Sequence, residues 1–138
     1  MRMGIEELHA FLAAEFPQVA SDFTIERVDE QALVVRLEPG ERHLRPGGTV
    51  SGPALFALAD VSVYLAILSR IGPAALAVTT NCGIDFLRKP ASGAALRAEA
   101  RLLKLGRRLA VADALIRSEG VEGPVARASL TYSIPAER

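Results

Sequence analysis

Residues 51–70 read SGPALFALADVSVYLAILSR, and the fold turns on how this stretch is read. Between Pro53 and Leu68 apolar side chains fall on every face of a helical wheel, from Ala54, Leu55 and Phe56 through Leu58, Val61 and Val63 to Leu65, Ile67 and Leu68. A helix that is apolar all round has to be buried. Ser51 or Gly52 suits its cap, and Pro53 is tolerated in the first turn, where its missing N–H would have no partner anyway. Gly72 and Pro73 stop it, which places a long central helix at about 52–70. The apolar run carries Asp60 and Ser62 and falls short of the roughly 20 residues that span a bilayer, so a protein core is its expected surrounding.

Toward the N-terminus, Ile5, Leu8, Phe11, Leu12 and Phe16 recur at three- and four-residue steps, with Glu6, Glu7 and Glu15 between them. This predicts a short amphipathic helix over 4–16, ended by Pro17 and serving as a lid on the core. From Phe23 to Leu37 partial period-two alternation around Asp29 and Glu30 predicts a strand or a hairpin. Pro39, Gly40, Pro46, Gly47 and Gly48 make residues 38–48 a loop. Beyond the central helix four segments rich in aliphatic residues follow, at 76–86, 95–105, 109–118 and 125–134. The turns between them fall at 89–93, 106–108 and 119–124. They read as an antiparallel meander. The expected architecture is α+β: one domain over 1–138, with an antiparallel β-sheet curled around the central helix.

Composition narrows the function. A chain of 138 residues is one domain by the usual scaling of core to surface. Formal charge balances to zero and the arginines scatter along the chain, from Arg2 through Arg27 to Arg138, so no nucleic-acid footprint is expected. Cys82 stands alone, which excludes an internal disulfide, and His9 and His43 lack metal-ligand spacing; no metal is expected. Glu6, Glu7 and His9 break any signal-peptide hydrophobic run, so the expected compartment is the reducing cytoplasm, without a membrane partner.

Asp60 does not belong in its helix. Aspartate forms helices poorly, and a buried carboxylate costs several kcal/mol unless it is paired or changes its pKa. Either it faces a water-filled edge or Ser62, Tyr64 or a backbone N–H holds it, or it is placed to act as a base or nucleophile. Eight residues earlier, Gly52 stands at the helix start, where free N–H groups and the positive end of the helix dipole suit a developing oxyanion. At ~1.5 Å rise per residue the two lie about 12 Å apart, too far to share one carbonyl group. If both act on one substrate they come from two chains, and a two-fold dimer becomes part of the mechanism.

The run RPGGTVSGPALFALAD over 45–60 resembles the signature of PaaI-like hot-dog thioesterases: an Asn, a His-Gly-Gly, then Ala-Leu-Ala-Asp. TTNCGIDFLRKP over 79–90 resembles that family's following strand, with its Phe-Leu-Arg-x-Pro ending. The resemblance covers nearly the whole chain. It implies the hot-dog fold and hydrolysis of acyl-CoA thioesters without metal or other cofactor, CoA being part of the substrate. It further implies a homodimer as minimal unit, paired into a dimer of dimers. Gly52 falls at the position of the amide that polarises the carbonyl, and Asp60 at that of the attacking or water-activating carboxylate. Three positions depart: Ser51 stands for the His, Pro53 for the second Gly and Arg45 for the Asn.

Arg45 and Ser51 therefore join the substrate-binding candidates, Ser51 with the alternative role of helix N-cap. Arg88, Lys89, Arg107 and Arg108 sit at predicted turns and suit the phosphates of CoA, or are solvated turn charges. Asn81 alternates with apolar neighbours on a strand and faces either the substrate or the solvent. The favoured substrate is a medium-chain or aromatic acyl-CoA. The alternatives are a non-catalytic acyl-CoA-binding module and, last, a hydratase or dehydratase, which wants a His beside an acid that this helix lacks.

Overall fold

The computed structural model describes residues 1–136. In chain order it contains α1 (Ile5–Glu15), β1 (Phe23–Val28), β2 (Leu33–Leu37), α2 (Gly52–Ile71), β3 (Val78–Phe86), β4 (Leu96–Leu105), β5 (Leu109–Ser118) and β6 (Ala126–Ser133). The six strands form one antiparallel sheet in the order β1-β2-β4-β5-β6-β3, and α2 lies along its inner face.

The ends of α2 follow the sequence. Ser51 is the N-cap, its hydroxyl accepting the Ala54 N–H at 3.3 Å, and Gly72 ends the helix at a φ of 90°. At 20 residues α2 is long and apolar enough to cross a membrane by length and composition. The sheet takes up that surface: Leu58, Leu65, Ile67 and Leu68 are fully buried. Close approach is possible because the inner face of the central strands is lined by Ala98, Ala100, Ala110, Ala112, Ala114 and Ala126. Small side chains let the helix backbone settle onto the sheet at native packing density, as a core nearly without large rings requires.

The expectation of a four-strand meander is corrected. β4, β5 and β6 form a meander, but β3 pairs with β6 at the far edge and does not touch β4. Link length is the reason. Gly106–Arg108 is too short for anything but a hairpin, whereas residues 87–95, containing Pro90, form a link long enough to cross the sheet. The segment at 23–37 is a hairpin, β1 with β2. Asp29 closes its turn by accepting the Gln31 and Ala32 N–H groups at 2.8 and 2.9 Å.

α1 packs on the core through Leu8 and Leu12, which are buried. His9 fastens it to the sheet, Nε2 accepting the Ile25 N–H at 3.1 Å. At the other margin β3 is an edge strand, and most of its side chains are exposed. Phe86 is 55% and Val78 54% exposed, and no Lys or Pro along the strand blunts its free hydrogen-bonding edge.

Candidate active site

Asp60 lies on α2 where the helix passes the paired ends of β3 and β6. Thr79 of β3 and Tyr132 of β6 are directly opposed in the sheet and both face inward. Both hydroxyls donate to the same oxygen of Asp60: Thr79 Oγ1 reaches Oδ1 at 2.5 Å and the Tyr132 phenol at 2.7 Å. Oδ2 has no hydrogen-bond or ion-pair partner among the described residues. The carboxylate is thus held by two elements far along the chain, not by its helix neighbours. Ser62 donates instead to the Ala59 carbonyl at 2.7 Å, and the Tyr64 hydroxyl to the Ala75 carbonyl at 3.3 Å.

A cavity of about 360 Å³ opens beside Asp60, walled by Leu12, Phe16 and Val19 from the lid, Val61 and Tyr64 from α2, and Ala77, Val78, Thr79 and Tyr132. Of seven aromatic residues in the chain, Phe16 and both tyrosines line this one space. Phe16 meets Tyr64 edge to face, with ring centroids 5.6 Å apart. Burial raises the Tyr132 phenol above its ordinary pKa, and the charge of Asp60 adds to the effect. Burial also pushes Tyr64 up to about 12, with help from Glu15. The Cys82 thiol is raised by burial and then by Asp60. All three face Asp60 as neutral groups.

Gly52 lines a second cavity, of about 480 Å³, with Arg45, Thr49, Phe86, Arg88 and Lys89 among its walls. Within the first turn of α2, Pro53 has no N–H, and the Ala54 and Leu55 N–H groups go to Ser51. The Gly52 N–H is left without a partner among the described residues. A side chain here would press on the Phe86 ring, since an added Cβ would lie 3.3 Å from Phe86 Cζ. So β3 connects the two cavities: Thr79 touches Asp60 at one end, and Phe86 covers Gly52 at the other.

The site residues read from the sequence divide accordingly. Arg45, Gly52, Arg88 and Lys89 come together in one cavity. Arg88 is partly engaged there, its guanidinium donating to the Pro124 carbonyl at 2.7 Å. Ser51 takes the capping role. Arg107 and Arg108 sit at the β4–β5 turn, at the end of the sheet that holds Asp60, where the Ile134 N–H bonds the Arg108 carbonyl at 2.8 Å. Asn81 stands apart: it is exposed opposite Thr131 on the outer face and lines neither cavity. A bulge between Thr79 and Asn81 shifts the strand's alternation and turns Asn81 outward. Thr79 and Tyr132 were not among the residues expected from sequence. The available signal was Tyr132 itself, the last inward position of Ala126-x-Ala128-x-Leu130-x-Tyr132, because a buried phenol needs a partner.

The sequence profile of the thioesterase superfamily matches residues 47–125. A protein of Silicibacter sp. TM1040 assigned as a thioesterase is 56% identical in sequence, superposes with a TM-score of 0.89, and covers 96% of this chain and 92% of its own. A point mutant of the phenylacetic acid degradation protein PaaI from Thermus thermophilus is 32% identical. It has a TM-score of 0.72, over 85% of this chain and 97% of its own. A Pseudomonas aeruginosa protein assigned as an esterase is 36% identical over 106 residues, which are 77% of this chain and 78% of that protein.

Proposed function

This chain belongs to the thioesterase superfamily and has its PaaI-like hot-dog fold; from that premise we propose that it hydrolyses acyl-CoA thioesters at a site shared by two subunits. Thioester hydrolysis is the chemistry of the family. The acyl-CoA substrate, the roles of the residues and the assembly are our reading.

One observation carries it: a carboxylate oxygen of Asp60 and the N–H of Gly52, both without a partner among the described residues, lie in separate cavities at opposite ends of an exposed edge strand. Antiparallel pairing of two β3 strands about a two-fold axis at Gly83, with Thr80 taken up by the bulge, sets Thr79 opposite the partner's Phe86. Asp60 then meets the partner's Gly52, and each dimer carries two equivalent sites. Pairing also covers Phe86 and Val78 and satisfies the open strand edge.

In this reading the thioester carbonyl oxygen accepts the N–H of the partner's Gly52 at the positive end of its helix. Asp60 attacks the carbonyl carbon or removes a proton from the water that does. The carbon–sulfur bond breaks, CoA leaves as the thiol carrying the proton, and the acyl group takes the hydroxyl of water. No resident cofactor enters. The apolar cavity beside Asp60 takes a medium-chain or aromatic acyl group. The phosphates of CoA meet Arg107 and Arg108 together with the partner's Arg45, Arg88 and Lys89. A dimer is the minimal unit, a dimer of dimers is the assembly implied by the resemblance, and the cytoplasm is the proposed compartment.

The test is thiol release from a panel of short, medium, long and aromatic acyl-CoAs, for the wild type and for Asp60→Asn. The reading predicts turnover on medium-chain or aromatic esters that falls at least about a hundredfold in the folded variant. Full activity in the variant would remove Asp60 from the mechanism. Tight binding of the esters without turnover by the wild type would favour a binding module, the role suggested by Ser51 and Arg45 in place of the family His and Asn.

A further inference from the structure

Asp60 poses a problem of geometry that its own helix does not solve. An aspartate turns about two side-chain bonds, and no side chain of α2 bonds its carboxylate. No cation lines the cavity beside it among the described residues. What holds it is a pair of hydroxyls on one oxygen, and the two differ in how firmly they are held. Thr79 stands on the edge strand, next to the bulge. Tyr132 stands on β6, hydrogen-bonded on both sides, to β3 and to β5. It is 3% exposed, and its ring packs against Tyr64 with centroids 6.1 Å apart. Its hydroxyl has one proton to give. Asp60 Oδ1 at 2.7 Å is a closer acceptor than the Asp60 carbonyl at 3.1 Å.

We propose that Tyr132 is a positioning residue for Asp60: with Thr79 it ties down Oδ1, fixes the carboxylate plane, and leaves Oδ2 as the oxygen turned to substrate or water. The proposal rests on Asp60 being the catalytic carboxylate. The titratable groups facing Asp60 are Tyr132 from β6, Cys82 from β3 and Tyr64 from α2, all of them neutral. The two donated hydrogen bonds are therefore what holds the carboxylate among the described residues. Tyr132 remains a donor, because burial and Asp60 both hold its proton on.

The experiment is Tyr132→Phe, which keeps the ring and removes only the donor, measured beside Asp60→Asn. Loss of a hydrogen bond to a carboxylate predicts a kcat lower by about tenfold to a hundredfold. KM should stay within about twofold, because the hydroxyl is engaged with Asp60 and not with the acyl group. A purely structural role would lower folded protein or stability and leave the kcat of the folded protein in place. If Asp60→Asn is inactive while Tyr132→Phe keeps the wild-type kcat, the positioning role is overturned and the catalytic reading stands. If Asp60→Asn is fully active, the catalytic reading itself falls and takes this proposal with it. Should Tyr132→Phe fail to fold, 3-fluorotyrosine incorporated at both tyrosines preserves packing and strengthens the donor. The kcat then changes while KM holds, and an unchanged kcat overturns the proposal.

Discussion

Asp60 is tolerated in an apolar helix because it is hydrogen-bonded by residues 19 and 72 positions away. Its oddity was legible from sequence, since aspartate with apolar neighbours on every face needs an explanation. Its partners were not, because neither distance belongs to a helical or strand period; only the fold brings Thr79 and Tyr132 to the same carboxylate. Ser51 shows the opposite case. Its capping bond to the Ala54 N–H spans three residues, so sequence alone could propose it. Ser51→Ala should lower the free energy of unfolding by about 1 kcal/mol, as loss of an N-cap typically does. Urea denaturation of the two proteins measures this directly, and an unchanged stability would mean that the Ser51 hydroxyl serves something other than the helix.

Among the elements, helices and hairpins with short links were readable and the position of β3 was not. Ends of α2 and α1 are marked by Ser51, Gly72 and Pro17, and the β4–β5 turn by Gly106. The placement of β3 depends on which edge of a finished sheet is free, and no local pattern encodes that. The β1–β2 hairpin has its own electrostatic signature. A hydrogen bond from Arg27, followed by the backbone N–H groups of Ala32 and Gln31, holds the Asp29 carboxyl down at about 2, below its ordinary 3.8. A carboxylate whose folded pKa is depressed contributes stability above its unfolded pKa and loses that contribution as pH falls toward its folded one. The melting temperature of Asp29→Ala should therefore lie below that of the wild type at about pH 6, and the gap should narrow between about pH 4 and about pH 2. A gap that stays constant over that window would show that the turn draws nothing from the charge of Asp29.

At the scale of the whole molecule, the proposed function divides each site between two chains. The reason was already legible in helix geometry, because positions 52 and 60 are about 12 Å apart at ~1.5 Å per residue, so acting on one substrate would take two chains. The edge proposed for that pairing became visible only when β3 proved exposed, unprotected and in contact with both Asp60 and Gly52. The two cavities also differ in character at this scale: an apolar one with three aromatic rings beside Asp60, and one with Arg45, Arg88 and Lys89 beside Gly52. The claim that the two chains share each site is open to a direct test. Asp60→Asn removes the carboxylate, and Gly52→Pro removes the N–H at the first position of α2, where the backbone accepts proline and the Phe86 ring has to give by a few tenths of an ångström. Each variant alone should be inactive. A heterodimer of the two, purified by a different tag on each chain, joins an intact Asp60 to an intact Gly52 at one of its two sites, so it should recover about half the wild-type turnover per dimer. A heterodimer as inactive as its parents would contradict the shared site and return both residues to a single chain.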